Sequence, residues 1–267
     1  MIKLIATDMD GTFLDSKKRL PANFKKFSDA LDRRGILFVP VSGRSYPHFQ
    51  MRFPTLADSM SFICCNGGLI MHHGKVLSHE IFSEDQLREI FQALRAIPDL
   101  HLSLIGIHQA YYEHPDPEII RQMKEFFEVL VRTDRLEDLI GTQPFGKVSS
   151  LDDRGVQENS FPAVSSFAER FNVTDAGDNW LDIMPLKANK ANAIGTLCRE
   201  LNIDVDNEVM IFGDYLNDYA MMTVNDNTWC MKNGHEKIKE ISGHVTEWTN
   251  DENGVIRTIC QEIDLDL

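Results

Sequence analysis

The chain has 267 residues, 43% of them hydrophobic and 25% charged, which suits one large globular domain or two smaller ones. The formal net charge at pH 7 is -14, so the sequence offers no basic surface for nucleic acid, and an anionic substrate would need a local cation. No apolar stretch reaches the roughly 18 residues that cross a membrane, so we expect neither nucleic acid nor a membrane as a partner.

The cysteines indicate the cellular compartment. There are five, an odd number without a C-x-x-C spacing, which indicates neither a disulfide framework nor a zinc site. Residues 1–7 form an apolar run too short for a signal peptide before the first acidic residue. We therefore expect a protein of the reducing cytoplasm.

Four short apolar runs predict buried strands, and a small or polar cluster follows each of them. The runs are residues 2–7, 36–41, 61–65 and 208–212. Apolar residues at helical spacing over 22–34 and 189–201 predict helices. Continuous apolar strands that alternate with helices predict an α/β fold with a doubly wound, Rossmann-like parallel sheet.

The stretch from 82 to 185 has a different pattern and predicts an inserted α+β domain, which leaves residues 1–81 and 186–267 as the core. Helices are expected over 84–97, beginning at a Ser83–Gln86 capping pair, and over 118–131. The strand candidates are residues 101–107, 109–114, 146–151 and 180–185. We expect antiparallel strands with helices on one face.

Asp8 and Asp10 follow the first predicted strand, and Gly11 lets the chain turn away. Two carboxylates 4 Å apart repel by roughly 4 kcal/mol at an effective dielectric near 20, so a cation between them would stabilise the pair. Mg²⁺ prefers such oxygen ligands together with water and substrate phosphate. An ordinary acidic turn is an equally good interpretation of these residues alone.

A second acidic cluster follows the last predicted strand. Asp214 comes directly after residues 208–213, and Asn217 and Asp218 begin the next helical stretch. An Asp in this position is often only a helix cap. Because the carboxyl ends of parallel strands share one edge of the sheet, we expect Asp214 to meet the Asp8 region and to supply a further metal ligand.

Two weaker clusters follow the second and third strands. Ser42, Gly43 and Arg44 offer a hydroxyl and backbone N–H groups at a helix start, where phosphate binds readily. A strand-to-helix turn uses the same residues without binding anything. Asn66 is a candidate substrate contact, for which a simple turn is the alternative.

These elements, in this order, resemble the haloacid dehalogenase superfamily, and most closely its Cof-type phosphatases with a large α/β cap. Residues 8–12, DMDGT, match the first motif DxDGT, and residues 42–44 match the second, [ST]GR. Residues 213–218, GDYLND, match the fourth motif, GDxxND. The resemblance covers the whole chain and implies that the inserted domain is the cap that sets substrate specificity.

The third motif departs from the family pattern, in which a Pro is followed five positions later by a catalytic Lys and then Gly. Pro185 leads to Lys190, but Ala191 stands in place of the Gly. The resemblance therefore implies Lys190 as the catalytic lysine, with Lys187 as the alternative.

The resemblance also implies the chemistry of the acids. Asp8 would be the nucleophile that forms an aspartyl-phosphate, and Asp10 would act as general acid and then general base. Mg²⁺ would bind the carboxylates of Asp8 and Asp214 and the backbone carbonyl of Asp10.

The remaining motif residues would hold the phosphoryl oxygens and support that site. Lys190, Ser42 and Gly43 would contact the oxygens, Asn217 would help to orient them, and Asp218 would support the lysine or the metal site from behind.

Position 10 separates activities within the superfamily, because a halide leaving group needs no proton. The resemblance therefore implies a Mg²⁺-dependent phosphoric monoester hydrolase acting on small phosphorylated metabolites such as sugar phosphates. The alternatives are a phosphomutase of the phosphomannomutase type, a non-catalytic sugar-phosphate sensor and a signalling receiver domain. Nothing in the sequence requires an oligomer.

Overall fold

A computed structural model describes all residues, Met1–Leu267, which form two sheets surrounded by helices. The strands are β1 (Leu4–Asp8), β2 (Leu37–Val41), β3 (Ser61–Cys64), β4 (Leu69–His72), β5 (Lys75–His79), β6 (Leu100–Ile105), β7 (Ala110–Tyr112), β8 (Leu130–Arg132), β9 (Lys147–Asp152), β10 (Phe171–Gly177), β11 (Trp180–Pro185), β12 (Val209–Gly213), β13 (Thr228–Cys230) and β14 (His244–Val245). The helices are α1 (Phe24–Arg33), α2 (Tyr46–Arg52), α3 (Glu84–Leu94), α4 (Pro117–Phe126), α5 (Ser160–Ala163), α6 (Lys190–Glu200), α7 (Glu236–Ile241) and α8 (Gly254–Glu262). None of these helices has both the length and the apolar character needed to cross a membrane.

The chain divides into two compact units, the second of which interrupts the first in sequence. The first unit comprises Met1–Gly43, Thr55–Leu77 and Lys190–Leu267. The second unit comprises Arg44–Pro54 and Ser78–Asn189. The sequence placed the boundaries at 82 and 185 and counted residues 44–54 with the core. In the structure that segment, with α2, belongs to the second unit.

The first unit is built on an eight-stranded sheet in the order β14-β13-β12-β1-β2-β3-β4-β5. Strands β14 to β3 in this order run parallel, and β4 pairs antiparallel with β3. Every residue of the central strand β1 is buried, as a strand covered on both faces requires. The carboxyl ends of β1, β2 and β12 therefore lie side by side at one edge.

Helix α1 packs against this sheet through a cluster of phenylalanines. Phe24 and Phe27 are buried on the helix stripe that the sequence periodicity predicts. Their rings contact Phe38 of β2 with centroids 5.9 Å and 5.5 Å away, and Phe13 lies 4.9 Å from Phe38. This packing secures the turn after β1, because Phe13 belongs to that turn.

The second unit has a six-stranded sheet in the order β10-β11-β9-β6-β7-β8. Its strands pair antiparallel except for β7 and β8, which run parallel. Leu104 of β6 packs in the cluster that contains α3, whereas its neighbour Ile105 packs in the cluster that contains α4. Successive strand residues point to opposite faces, so α3 and α4 cover opposite faces. The prediction of helices on one face is therefore wrong.

The predicted helix 118–131 is also too long. Helix α4 ends at Phe126, and Phe127 is already extended, with φ -122° and ψ 117°. The chain continues as β8, and the backbone N–H of Ala110 donates to the carbonyl of Val129 at 2.9 Å. Pairing with β7 thus competes with helix formation after Phe126, and periodicity alone does not reveal this competitor. By contrast, the capping box of Ser83 and Gln86 at the start of α3 is confirmed.

Candidate active site

The turn after β1 brings the first acidic motif close to the last. Asp8 is the final residue of β1 and is only 5% exposed. Gly11 follows with a φ of 85°, and a Cβ atom added to it would lie 2.4 Å from Oδ2 of Asp214. The side chain of Asn233 donates to the carbonyl of Gly11 at 2.8 Å. Glycine is therefore required here both by the backbone angle and by the close approach to Asp214.

Asp214 and Asp218 are held at the end of β12 by a compact turn. Oδ2 of Asp218, which is fully buried, accepts from the backbone N–H of Asp214 at 2.9 Å and of Tyr215 at 3.3 Å. The Thr12 hydroxyl donates to Oδ1 of Asp214 at 2.7 Å. A Cβ atom on Gly213 would lie 2.8 Å from Oδ2 of Asp218, so this glycine gives the turn its room.

Lys190 connects the two acidic turns. It is the first residue of α6 and is 2% exposed. Its Nζ donates to Oδ1 of Asp8 at 2.5 Å and to Oδ1 of Asp218 at 2.6 Å. Lys187, the alternative candidate, is exposed and belongs to the second unit. The geometry therefore favours Lys190 as the lysine of the site.

The electrostatics of this cluster show a surplus of negative charge. Burial and the nearby carboxylate of Asp218 raise the pKa of Asp8 well above its ordinary value, although Lys190 opposes them. Burial raises the pKa of Asp214 to about 6, despite the hydrogen bond from Thr12, which lowers it. Burial acts to lower the pKa of Lys190, but Asp218 and Asp8 outweigh it and raise that pKa. The lysine is therefore charged, and it faces three carboxylates.

The donor set fits a divalent cation. Asp8, Asp214 and Asp218 each place a carboxylate oxygen within 4.8 Å of the other two. Both oxygens of Asp218 accept hydrogen bonds, one from Lys190 and one from backbone N–H groups, so its lone pairs are largely engaged. Asp8 and Asp214 are therefore the side chains that would hold the ion, and oxygen donors of this kind suit Mg²⁺.

Asp10 is in a more open environment than Asp8. Its side chain is 40% exposed, and its Oδ1 lies 2.7 Å from Nζ of Lys18. Its backbone is extended, with φ -80° and ψ 113°, and the following residue, Gly11, is non-helical as well. A carboxylate in contact with water can exchange protons, as a general acid and base must. Its catalytic role stays a prediction.

Ser42, Gly43 and Asn66 lie together in the first unit. Ser42 follows β2, is 4% exposed, and its N–H donates to the carbonyl of Ile63 at 2.9 Å. The N–H of Asn66 donates in turn to the carbonyl of Ser42 at 2.9 Å. The side-chain amide of Asn66 faces Gly43, where an added Cβ atom would lie 3.1 Å from Nδ2. These contacts place Asn66 directly beside Ser42 and Gly43.

Arg44 and Asn217 are less informative. Arg44 belongs to the second unit, and its guanidinium carbon lies 5.0 Å from the ring centroid of Phe126. Its Nη1 donates to the carbonyl of Phe126 at 3.5 Å. Asn217 is exposed in the short turn Leu216–Asp218. Their roles in binding phosphate stay predictions.

Three further contacts of the site were given no role by the sequence. The Thr12 hydroxyl donates to Asp214, Lys18 forms an ion pair with Asp10, and the Asn233 amide donates to the carbonyl of Gly11. Thr12 lies inside the DxDGT motif, which was a usable signal. Lys18 and Asn233 carried none, because only the folded chain brings them to their partners.

The fold and the site together define a class of α/β protein. In this class, buried carboxylates and one lysine lie together at the carboxyl ends of the strands of a parallel sheet. The chain belongs to the haloacid dehalogenase-like hydrolases, since the family model matches residues 5–259. The predicted family and fold class are thereby confirmed.

Named relatives agree with this membership. The chain is 27% identical over 263 residues to the 5-amino-6-(5-phospho-D-ribitylamino)uracil phosphatase YbjI of Escherichia coli (strain K12), covering 97% of this chain and 95% of that protein. It is 25% identical over 285 residues to the phosphatase YwpJ of Bacillus subtilis (strain 168), covering 95% and 97%. The crystal structure of SMU.1108c from Streptococcus mutans UA159 superposes with a TM-score of 0.85 at 26% identity, covering 99% of this chain and 100% of that one. The protein is a phosphatase of this family.

Proposed function

We propose that the protein is a Mg²⁺-dependent phosphatase that hydrolyses small phosphorylated metabolites through an aspartyl-phosphate on Asp8. The observation that carries this proposal is the cluster in which Nζ of Lys190 lies 2.5 Å from Asp8 and 2.6 Å from Asp218. A carboxylate next to a buried ammonium, with surplus acids to hold a cation, is equipped to attack an anionic phosphorus centre.

The chemistry has two steps. In the first, an oxygen of Asp8 bonds to phosphorus while the ester bond to the leaving oxygen breaks, and Asp10 gives that oxygen a proton. In the second, Asp10 takes a proton from water, whose oxygen bonds to phosphorus and releases Asp8 and inorganic phosphate. Mg²⁺, held by Asp8, Asp214 and the backbone carbonyl of Asp10, would supply positive charge against the phosphoryl oxygens.

Other residues of the first unit would hold the phosphoryl group in place. Lys190 and the region of Ser42 and Gly43 would bind its oxygens, and Asp218 keeps the ammonium of Lys190 oriented toward Asp8. All these residues come from one chain.

The proposed substrates are sugar-like phosphates, and the proposed compartment is the reducing cytoplasm. The printed name of the Escherichia coli relative describes a phosphorylated ribityl compound, which supports a polyhydroxylated leaving group. All five cysteines are free, which supports a reducing compartment.

Replacing the nucleophile tests the proposal. We expect hydrolysis of p-nitrophenyl phosphate to require Mg²⁺ and Asp8→Asn to lower kcat by at least about 10³-fold, because the attacking oxygen is lost. Asp15→Asn is the matched control, since Asp15 pairs with Arg19 on the surface and should leave kcat unchanged. Turnover in EDTA equal to that in Mg²⁺, or an undiminished Asp8→Asn protein, would contradict the proposal. Release of inorganic phosphate, rather than an isomerised ester, separates a phosphatase from a mutase.

Replacing Asp10 tests the acid and base role separately. We expect Asp10→Asn to lower kcat by about 10² to 10⁴-fold, because neither the leaving oxygen nor the attacking water then has a proton partner. Acid quenching followed by mass spectrometry should detect phosphate on Asp8 when hydrolysis of the aspartyl-phosphate is the slower step. Unchanged steady-state turnover would show that Asp10 is not the acid and base.

A further inference from the structure

Asn66 lies in a backbone turn of unusual conformation. Cys65, Asn66 and Gly67 have successive positive φ angles of 51°, 50° and 99°. Non-glycine residues avoid this region, although Asn enters it more readily than most. The turn is secured by the hydrogen bond from Asn66 to Ser42 and by packing against α6, the helix that begins at Lys190. Asn66 is therefore held beside the proposed phosphate site at a cost in backbone energy.

The side chain of Asn66 has an unmet hydrogen-bonding requirement. Its Oδ1 is buried and has no hydrogen-bond partner. Buried polar atoms in folded proteins are nearly always partnered, because removal from water is unfavourable otherwise. An added Cβ on Gly43 would lie 3.2 Å from this oxygen, so the glycine leaves room for the amide. The unpartnered atom is thus an acceptor at the edge of the Ser42–Gly43 loop.

The chemistry of an amide oxygen restricts its ligand. Oδ1 accepts hydrogen bonds and cannot donate one, and an ionised phosphoryl oxygen carries no proton to offer. The partner must therefore be a hydrogen-bond donor close to the phosphate, and a hydroxyl near the ester carbon is such a group. A polyhydroxylated phosphate offers this hydroxyl, and an alkyl or aryl phosphate does not.

We propose that Asn66 is a specificity-determining residue whose Oδ1 accepts a hydrogen bond from a leaving-group hydroxyl near the ester, so that the enzyme favours polyol and sugar phosphates over their deoxy analogues. This inference rests on the proposed function. A site built to bond a hydroxyl rejects the analogue that lacks it, because its own polar atom is then left unpaired.

The test compares kcat/KM for glycerol 3-phosphate and for propyl phosphate, which has the same carbon chain without hydroxyls. Asn66→Gly deletes the amide and still accepts a positive φ, so the turn is preserved. We expect it to lower kcat/KM about tenfold more for glycerol 3-phosphate than for propyl phosphate. Asn66→Asp retains an acceptor oxygen and should keep the preference for glycerol 3-phosphate.

The matched control is Asn202→Gly. Asn202 also has a positive φ, 54°, but it is exposed and follows the far end of α6. The change should leave the ratio of the two kcat/KM values as in the wild type. Equal losses for both substrates in Asn66→Gly would overturn the proposal. Loss of the preference for glycerol 3-phosphate in Asn66→Asp would also overturn it, because the acceptor oxygen that this variant keeps would then not be the group that recognises the hydroxyl.

Failure of the proposed function is distinguishable from failure of this inference. If wild-type protein with Mg²⁺ hydrolyses neither substrate nor p-nitrophenyl phosphate, the proposed function is wrong. Calorimetric binding of the same two compounds then decides the role of Asn66. A larger loss of affinity for glycerol 3-phosphate in Asn66→Gly supports the inference, and equal or no losses overturn it.

Discussion

Two lysines are buried against aspartates, one in each unit, and they differ in the charge that surrounds them. In the first unit, Lys190 donates to Asp8 and Asp218 in a cluster of three carboxylates. In the second unit, Nζ of Lys147 lies 2.5 Å from Oδ2 of Asp182, and their side chains are only 10% and 4% exposed. The second pair is balanced, one charge against one, whereas the first has too few cations for its acids.

The balanced pair has the features of a structural contact. The hydroxyl of Ser149 donates to Oδ1 of Asp182 at 2.5 Å, and these two residues are register partners on β9 and β11. Each oxygen of the carboxylate therefore has a partner from the protein. Burial of a lysine and an acid is common to both regions, so burial does not identify the active site. The uncompensated carboxylates distinguish the candidate site from the balanced pair, because they leave a requirement for a cation.

The sharpest test of this comparison replaces each lysine by methionine. We expect Lys190→Met to lower kcat by about 10³-fold or more, because the phosphoryl charge loses its fixed cation. Lys147→Met is the matched control, and it should retain kcat for p-nitrophenyl phosphate at a temperature where the protein is folded. Steady-state kinetics measures both variants. A large loss of kcat in Lys147→Met would show that the second pair also serves catalysis.

The structural pair should be revealed by a double-mutant cycle. Removing one partner leaves a buried charge unpaired, so Lys147→Met and Asp182→Asn should each lower the free energy of unfolding by about 3 kcal/mol. The double variant Lys147→Met/Asp182→Asn should be less destabilised than the sum of the single changes, because no unpaired charge remains. Urea unfolding measures these values. Strictly additive losses would mean that the pair is not coupled.

The surplus charge of the first unit should appear as stabilisation by metal. At 100 times its Kd, Mg²⁺ should raise the free energy of unfolding of the wild type by about 2.7 kcal/mol, or several degrees in Tm. Asp214→Asn removes a ligand and should abolish most of this shift, whereas Asp182→Asn should retain it. Thermal unfolding with Mg²⁺ and with EDTA makes the comparison. An equal Mg²⁺ shift in wild type and Asp214→Asn would remove Asp214 from the metal site.

The smallest expected effect is on pH dependence in EDTA. The folded pKa of Asp214 is about 6, above its ordinary value of 3.8, so the folded chain binds more protons between those pH values. Its contribution to the free energy of unfolding is therefore present at pH 4 and lost as the pH rises through 6, by about 2 kcal/mol. Asp214→Asn should be less sensitive to pH across this window. If the free energy of unfolding had the same pH dependence in both proteins, burial would not raise the pKa of Asp214.

Much of the site was predictable because it depends on strand ends. Asp8, Ser42 and Asp214 each follow an apolar run, and parallel strands bring such ends to one edge of a sheet. Lys190 was harder to predict, because the motif-three glycine is replaced and Lys187 lies three residues away. Local sequence does not distinguish these two lysines. The fold does, because it buries Lys190 and leaves Lys187 exposed.

Sequence by itself determined the strands of the parallel core, the stripe of α1, the capping box of α3 and the acidic motifs. These depend on side-chain periodicity and on hydrogen bonds between residues a few positions apart. Only the tertiary structure decided the end of α4, the grouping of Arg44–Pro54 with the second unit and the unpartnered oxygen of Asn66. Strand pairing, burial and charge balance depend on all the groups that folding brings together. No short stretch of sequence contains all of those groups.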